Sequence, residues 1–196
     1  MPITINGSGT VTGLSDESID ASKLKNGGII QVQHLQFNED NFSVDCNVTD
    51  GWNEVTNFNK TITPTTNTNK ILVDCRITYG GENNVYGGAK IMYKIDSGSW
   101  QDTEVTDAFN DTGGNAMYPG QMAIDTEVQY GQYKVRGSSC LFLHNPTTTG
   151  VITYQLFVQA RHASTDFKIW LNRPNTNDST NRGTGVSSLT LMEVVA

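Results

Sequence analysis

The segment from Ser138 to Ala160, SSCLFLHNPTTTGVITYQLFVQA, leaves the chain few ways to fold. Leu141 to His144 is a short apolar run, and Asn145-Pro146 ends it, because proline has no amide hydrogen to give to a sheet ladder. Thr147, Thr148, Thr149 and Gly150 complete a polar turn. From Val151 the chain alternates, with Ile152, Tyr154, Leu156 and Val158 facing one way and Thr153, Gln155 and Gln159 the other. A two-residue period marks a strand with one buried face. Phe157 interrupts the polar face, so that side needs a cover too. The spacing predicts a β-hairpin at the centre of an all-β core.

The same period recurs along the chain. Ile71, Val73, Cys75, Ile77 and Tyr79 alternate with Leu72, Asp74, Arg76 and Thr78, the cleanest strand pattern present. Further strands are expected at 29–37, 89–95, 100–105, 122–128, 130–136, 167–171 and 188–195, and Thr61-Ile62-Thr63-Pro64 leads into a TTNTNK turn. Asp96-Ser97-Gly98-Ser99 reads as a tight hairpin turn. Residues 38–59, rich in Asn, Asp and Thr, read as loop, with Trp52 capping the core or exposed. The chain holds 24 Thr, 19 Asn and 19 Gly, which favour strands and turns over helices. The expected fold is an all-β, antiparallel β-sandwich, jelly-roll-like, with loops at 80–88, 107–121 and 172–187 facing outward.

Residues 1–28 differ from the rest. ITINGSGTVTGLS is small and Gly-rich, with Ile3, Ile5, Val11 and Leu14 as its apolar points. It cannot bury much area alone, so it is expected to dock on a partner as an extended anchor. Ser18 or Asp20 could cap one helical turn before Asn26-Gly27-Gly28. The compact domain is expected to occupy 29–196.

Charge and motifs exclude several functions. The net charge is −7 and no Lys/Arg cluster occurs, so a phosphate backbone is not the expected partner. No apolar run approaches the ~18 residues of a membrane span. The N-terminus lacks the charged and apolar regions of a secretory signal. Cys46, Cys75 and Cys140 are widely spaced, and the last two sit in apolar strand patterns. Small buried thiols are expected, with folding in a reducing cytoplasm. Ser22-Lys23-Leu24-Lys25 matches S-x-x-K without its companion motifs, and no nucleophile elbow or phosphate loop is present. His34, His144 and His162 could meet on a cupin-like sandwich, yet the H-x-H doublet is missing. No enzymatic activity, metal or cofactor is expected. Trp52, Tyr86, Trp100 and Tyr118 fall at or beside turns, where rings either stack on sugars or fold back on the core. Of these, Tyr86, Trp100 and Tyr118 are the candidate contacts for a host surface glycan.

Several stretches together resemble virion proteins of marine and cyanobacterial bacteriophages. ITINGSGTVTGLS resembles a small Gly/Thr motif that precedes the compact terminal domain of tail-fibre-like proteins. SKLKNGGIIQVQ, TITPTTNTNKILV, FLHNPTTTGVITYQL and SSLTLMEV follow the same pattern. The resemblance implies a non-enzymatic virion component, usually homotrimeric, assembled in the host cytoplasm. Fibres normally carry a shaft before this motif, whereas Met1 stands directly ahead of it. That favours a short tail-fibre or fibre tip bound to other virion proteins through its N-terminus. A capsid decoration protein is the first alternative and a free carbohydrate-binding module the second. A polysaccharide depolymerase would further need two carboxylates facing each other across a cleft. Strands such as 71–77 and 151–158, apolar on both faces, argue separately for self-association.

Overall fold

The computed structural model describes residues 4–5, 11–12, 27–39, 42–46, 51–81, 86–103, 109–110, 116–117, 120–125, 134–160, 167–175 and 184–196. Among them there is no helix. The strands are β1 (Thr4–Ile5), β2 (Val11–Thr12), β3 (Ile29–Phe37), β4 (Ser43–Cys46), β5 (Asn53–Ile62), β6 (Lys70–Gly81), β7 (Tyr86–Ile95), β8 (Gln101–Asp102), β9 (Phe109–Asn110), β10 (Ala116–Met117), β11 (Gln121–Asp125), β12 (Arg136–His144), β13 (Ile152–Ala160), β14 (Phe167–Leu171) and β15 (Ser187–Val194).

Two antiparallel sheets form the sandwich. In the first, β3, β15, β6, β14 and β4 join in that order, and β12 pairs with β6. Tyr79 pairs with both Arg136 and Leu171, so β12 runs along one side of β6 while β15 and β14 share the other. In the second sheet the order is β11, β7, β13, β5, with β8 beside β7. Chain neighbours often lie in opposite sheets: β4 to β5, β5 to β6, β6 to β7 and β12 to β13 all cross over. This wrapping is the jelly-roll-like habit expected from the sequence.

β6 is the spine because its alternation is unbroken. Ile71, Val73 and Cys75 are fully buried, and Ile77 and Tyr79 nearly so. Across the core they meet Phe58, Ile91, Tyr154 and Leu156 of the second sheet. Burying one such side chain contributes roughly 1.5–3 kcal/mol, and this shared interior is what holds the sheets together.

The predicted hairpin at 138–160 is corrected. β12 pairs only with β6 among the described residues, and β13 pairs with β5 and β7. The segment between them is an arch that carries the chain from one sheet to the other. Its end docks on the 96–99 turn through the Val151 backbone: Asp96 N donates to Val151 O at 2.8 Å, and Val151 N donates to the Asp96 carboxylate at 3.1 Å. Hydrophobic alternation states which face a strand buries, and it is silent on which strand lies beside it.

The loop predicted at 38–59 is corrected as well, since β4 and β5 both lie there. β5 hides its period: its buried residues Val55, Phe58 and Ile62 are spaced by three and four. Asn57 has φ 67°, and the ladder to β13 slips between Gln155 and Phe157. The bulge takes up the extra residues and disguises the strand. The Asp96–Ser99 turn is confirmed, with Gly98 N donating to Ile95 O at 2.9 Å and β8 returning beside β7.

The three loops expected outside all lie partly inside, the third at Gly120, which is buried. Gly80 and Gly81 are buried in β6. A Cβ on Gly80 would stand 2.5 Å from the Arg173 carbonyl oxygen, so only glycine fits there. Asn172, Arg173 and Pro174 are buried too. Asn172, at φ 63°, donates Nδ2 to Phe37 O at 2.6 Å and accepts from the Ser187 hydroxyl at 2.7 Å. These bonds pin the exit of β14 under β3 and β15. In the third loop, β9 pairs with β10.

The predicted helical turn after Ser18 or Asp20 lies outside the described residues.

Candidate functional site

The outer face of the second sheet carries the aromatic residues that the sequence singles out. β13 turns Thr153, Gln155 and Phe157 outward, and β7 turns Lys90, Met92 and Lys94 to the same side. Phe157 is nevertheless only 6% exposed. Its cover is Trp100, which meets it edge-on with ring centroids 5.3 Å apart. Lys94 Nζ stands 4.5 Å above the Trp100 ring, and Lys90 Nζ stands at the same distance above Trp52. Lys90 is held between that ring and the Asp102 carboxylate at 2.5 Å. Such cation–π contacts are worth roughly 0.5–2 kcal/mol and fix the ring as well as the ammonium. The sugar-stacking candidate Trp100 is thus half-buried, committed to Phe157 at its side and to Lys94 at a face.

The second arrangement is internal. His144, at the end of β12, places Nδ1 2.6 Å from the Tyr154 hydroxyl of β13. The Tyr93 ring of β7 lies against the imidazole with centroids 4.3 Å apart, and Tyr93 OH donates to Gln101 Oε1 at 3.0 Å. One polar contact therefore ties the two sheets beside the arch. Burial pushes the His144 pKa down to about 4, because a charged imidazole would lose its water there. Burial, and then the neighbouring Tyr93, pushes the Tyr154 hydroxyl well above its usual range.

The third arrangement is the outer face of the first sheet. Register aligns Leu143 with Leu72, Leu72 with Met192, and Met192 with Val32. Four apolar side chains from β12, β6, β15 and β3 so form a row across the sheet. Leu143 is 51% exposed and Val32 55%, and Leu141 beside them is 66% exposed. Flanking the row, Arg76 pairs with Asp74 at 3.0 Å on the surface.

At the edge of the core, Glu193 is fully buried. Its Oε1 accepts from Thr65 N at 2.6 Å, Thr65 Oγ1 at 2.7 Å and Asn69 Nδ2 at 2.8 Å. A carboxylate here clamps the Thr65–Asn69 turn to β15.

The other candidates fare differently. Tyr86 opens β7 opposite Asp125. Tyr118, Ile3 and Leu14 lie outside the described residues. Ile5 and Val11 pair with each other in the β1–β2 ladder. The histidines His34 and His144 do not converge: His34 is exposed on β3, 2.9 Å from Thr190 Oγ1, whereas His144 points into the core. His162 lies outside the described residues. All three cysteines are buried thiols outside any disulfide, as expected. The residues missed by sequence reasoning are Leu141, Leu143, Met192 and Val32. Their signal was apolar side chains on the polar phase of three strands, which becomes a row, with Leu72, only once register is known.

Together these features define an antiparallel β-sandwich with one outer face sealed by its own aromatic residues and the other crossed by an exposed apolar row. No family model matches the sequence, and no curated protein matches it. Among solved structures, it is similar to the structure of infectious bursal disease virus Gx strain, at 10% identity and TM-score 0.39 over 85% of this chain and 43% of that one. It is similar to the VP2 subviral particle of that virus, at 11% identity and TM-score 0.39 over 85% of this chain and 38% of that one. The Gt strain structure gives 10% identity and TM-score 0.40, over 100% of this chain and 46% of that one. This chain spans less than half the length of each, and similarities this distant carry none of the functional argument.

Proposed function

We propose that this protein is a non-enzymatic structural component of a bacteriophage virion, a short tail-fibre or fibre tip that associates with copies of itself. Residues 1–28 serve as the segment that docks on other virion proteins, and 29–196 as the self-associating domain. The resemblance of ITINGSGTVTGLS, FLHNPTTTGVITYQL and SSLTLMEV to phage fibre-like proteins supports the virion role. The observation that carries self-association is the row Val32–Met192–Leu72–Leu143, whose end members are about half exposed. Covering such a row is favourable by roughly 25 cal/mol per Å² of apolar surface. Cyclic symmetry would bring three copies of the same face around one axis.

Light scattering on the purified chain tests this. The expected mass is three times the 21.4 kDa of one chain, and a clean monomer at micromolar concentration refutes the self-association. Labelling of assembled particles then separates a tail location from the alternative of a capsid decoration protein. The carbohydrate-binding alternative gains no support from Trp100, whose ring is already engaged by Lys94 and Phe157.

A further inference from the structure

Two of the three cysteines are register partners. Cys75 on β6 stands directly opposite Cys140 on β12. Both point into the core, at 0% and 8% exposure, and their thiols share a hydrogen bond. Partners in an antiparallel ladder hold their Cα atoms about 4.5–5.5 Å apart. A disulfide spans about 4.4–6.8 Å between Cα atoms, so this pair needs no backbone shift to be bridged. Cys46 on β4 stands opposite Phe167 of β14.

We infer that Cys75 and Cys140 form an oxidisable pair, a cross-strand disulfide site that staples β12 to β6 when the protein meets a small-molecule disulfide such as oxidised glutathione. Among the described residues β12 is held to the first sheet by β6 alone. It is the strand whose local opening admits a reagent. The Cys140 thiol gives its proton to solvent and attacks one sulfur of the reagent, releasing one equivalent of reduced thiol. The Cys75 thiol then gives up its proton and attacks the Cys140 sulfur of the mixed disulfide, which releases the second equivalent. Two protein thiols are oxidised, and one small disulfide is reduced to two thiols. The Cys140 contact, and then burial, raise the Cys75 pKa, so the second step awaits strand opening.

The test treats the folded protein with oxidised glutathione, then unfolds it in iodoacetamide and maps its peptides. The expected product is a chain ~2 Da lighter before alkylation, with Cys75 linked to Cys140 and only Cys46 alkylated. Its thermal midpoint rises by roughly 5–15 °C, because the link closes a long loop. Cys46→Ser leaves the link intact, and Cys140→Ser leaves Cys75 free to be alkylated. Alkylation of all three cysteines overturns the inference. So does a glutathione adduct that goes no further, or a link between two chains. Should Cys140→Ser fail to fold, the peptide map of the unmodified sequence decides the matter alone.

Discussion

Acidification should weaken this fold through His144. In the unfolded chain the imidazole takes a proton near pH 6.5, whereas in the fold burial delays that to about pH 4. Between those values the unfolded state holds more protons, so each step down in pH favours unfolding. The stabilisation is complete above pH 6.5, falls as pH drops, and is gone below about 4. A shift of that size corresponds to about 3 kcal/mol in total, and most of it is lost by pH 4.5. The imidazole that takes the proton is packed against the Tyr154 hydroxyl and the Tyr93 ring. Urea unfolding at pH 7.5 and pH 4.5, at one protein concentration, measures it in the unmodified chain and in His144→Gln. Carboxylates and other groups titrate alike in both, so the difference between the two pH dependences isolates His144. The unmodified chain should lose about 2 to 3 kcal/mol more than the variant. Equal pH dependences would refute the reasoning, as would an imidazole proton signal that titrates near 6.5 in the folded protein.

Other perturbations have equally definite outcomes. Leu143→Asp on the outer face should leave the circular dichroism spectrum unchanged while weakening self-association by about tenfold or more, read by light scattering across a dilution series. Glu193→Ala should cost about 3 kcal/mol in thermal unfolding, because Thr65 and Asn69 lose the acceptor of three hydrogen bonds. Phe58→Ala, at a fully buried position between the sheets, should cost about 3–5 kcal/mol and expose apolar surface to a dye. Gly80→Ala should prevent folding or force β6 away from Arg173, because the new methyl meets backbone at 2.5 Å. Titration with surface glycans should leave the Trp100 fluorescence unchanged, since Phe157 and Lys94 already hold that ring.

Strand identity was legible wherever alternation is uninterrupted. β6 and β15 show it plainly, with every second residue buried. Phe157 also announced correctly that its face is covered, and Trp100 is the cover. β5 was hidden because its bulge at Asn57 breaks the period that reveals a strand. The arch at 145–151 was read as a hairpin for a different reason. Proline, threonine and glycine mark a reversal of direction, and a reversal within one sheet looks the same in sequence as a passage to another. The apolar row suffered the same fate in two dimensions. Leu72 was visible as an odd residue on a polar phase, but Val32, Met192 and Leu143 acquire meaning only when register sets them side by side. His144 gave no sign either, because its Tyr154 partner lies ten residues on, across a connection that the pattern could not orient.

The first and last strands of the sandwich end together. Gly27 N donates to Val195 O at 2.7 Å, and Val195 N donates to Gly28 O at 2.9 Å, closing the β3–β15 ladder at the point where the chain enters and leaves. A tension applied between those two points opens the ladder like a zipper, one pair of bonds at a time. It does not load all the bonds in shear. The domain therefore resists being pulled apart at these two points poorly.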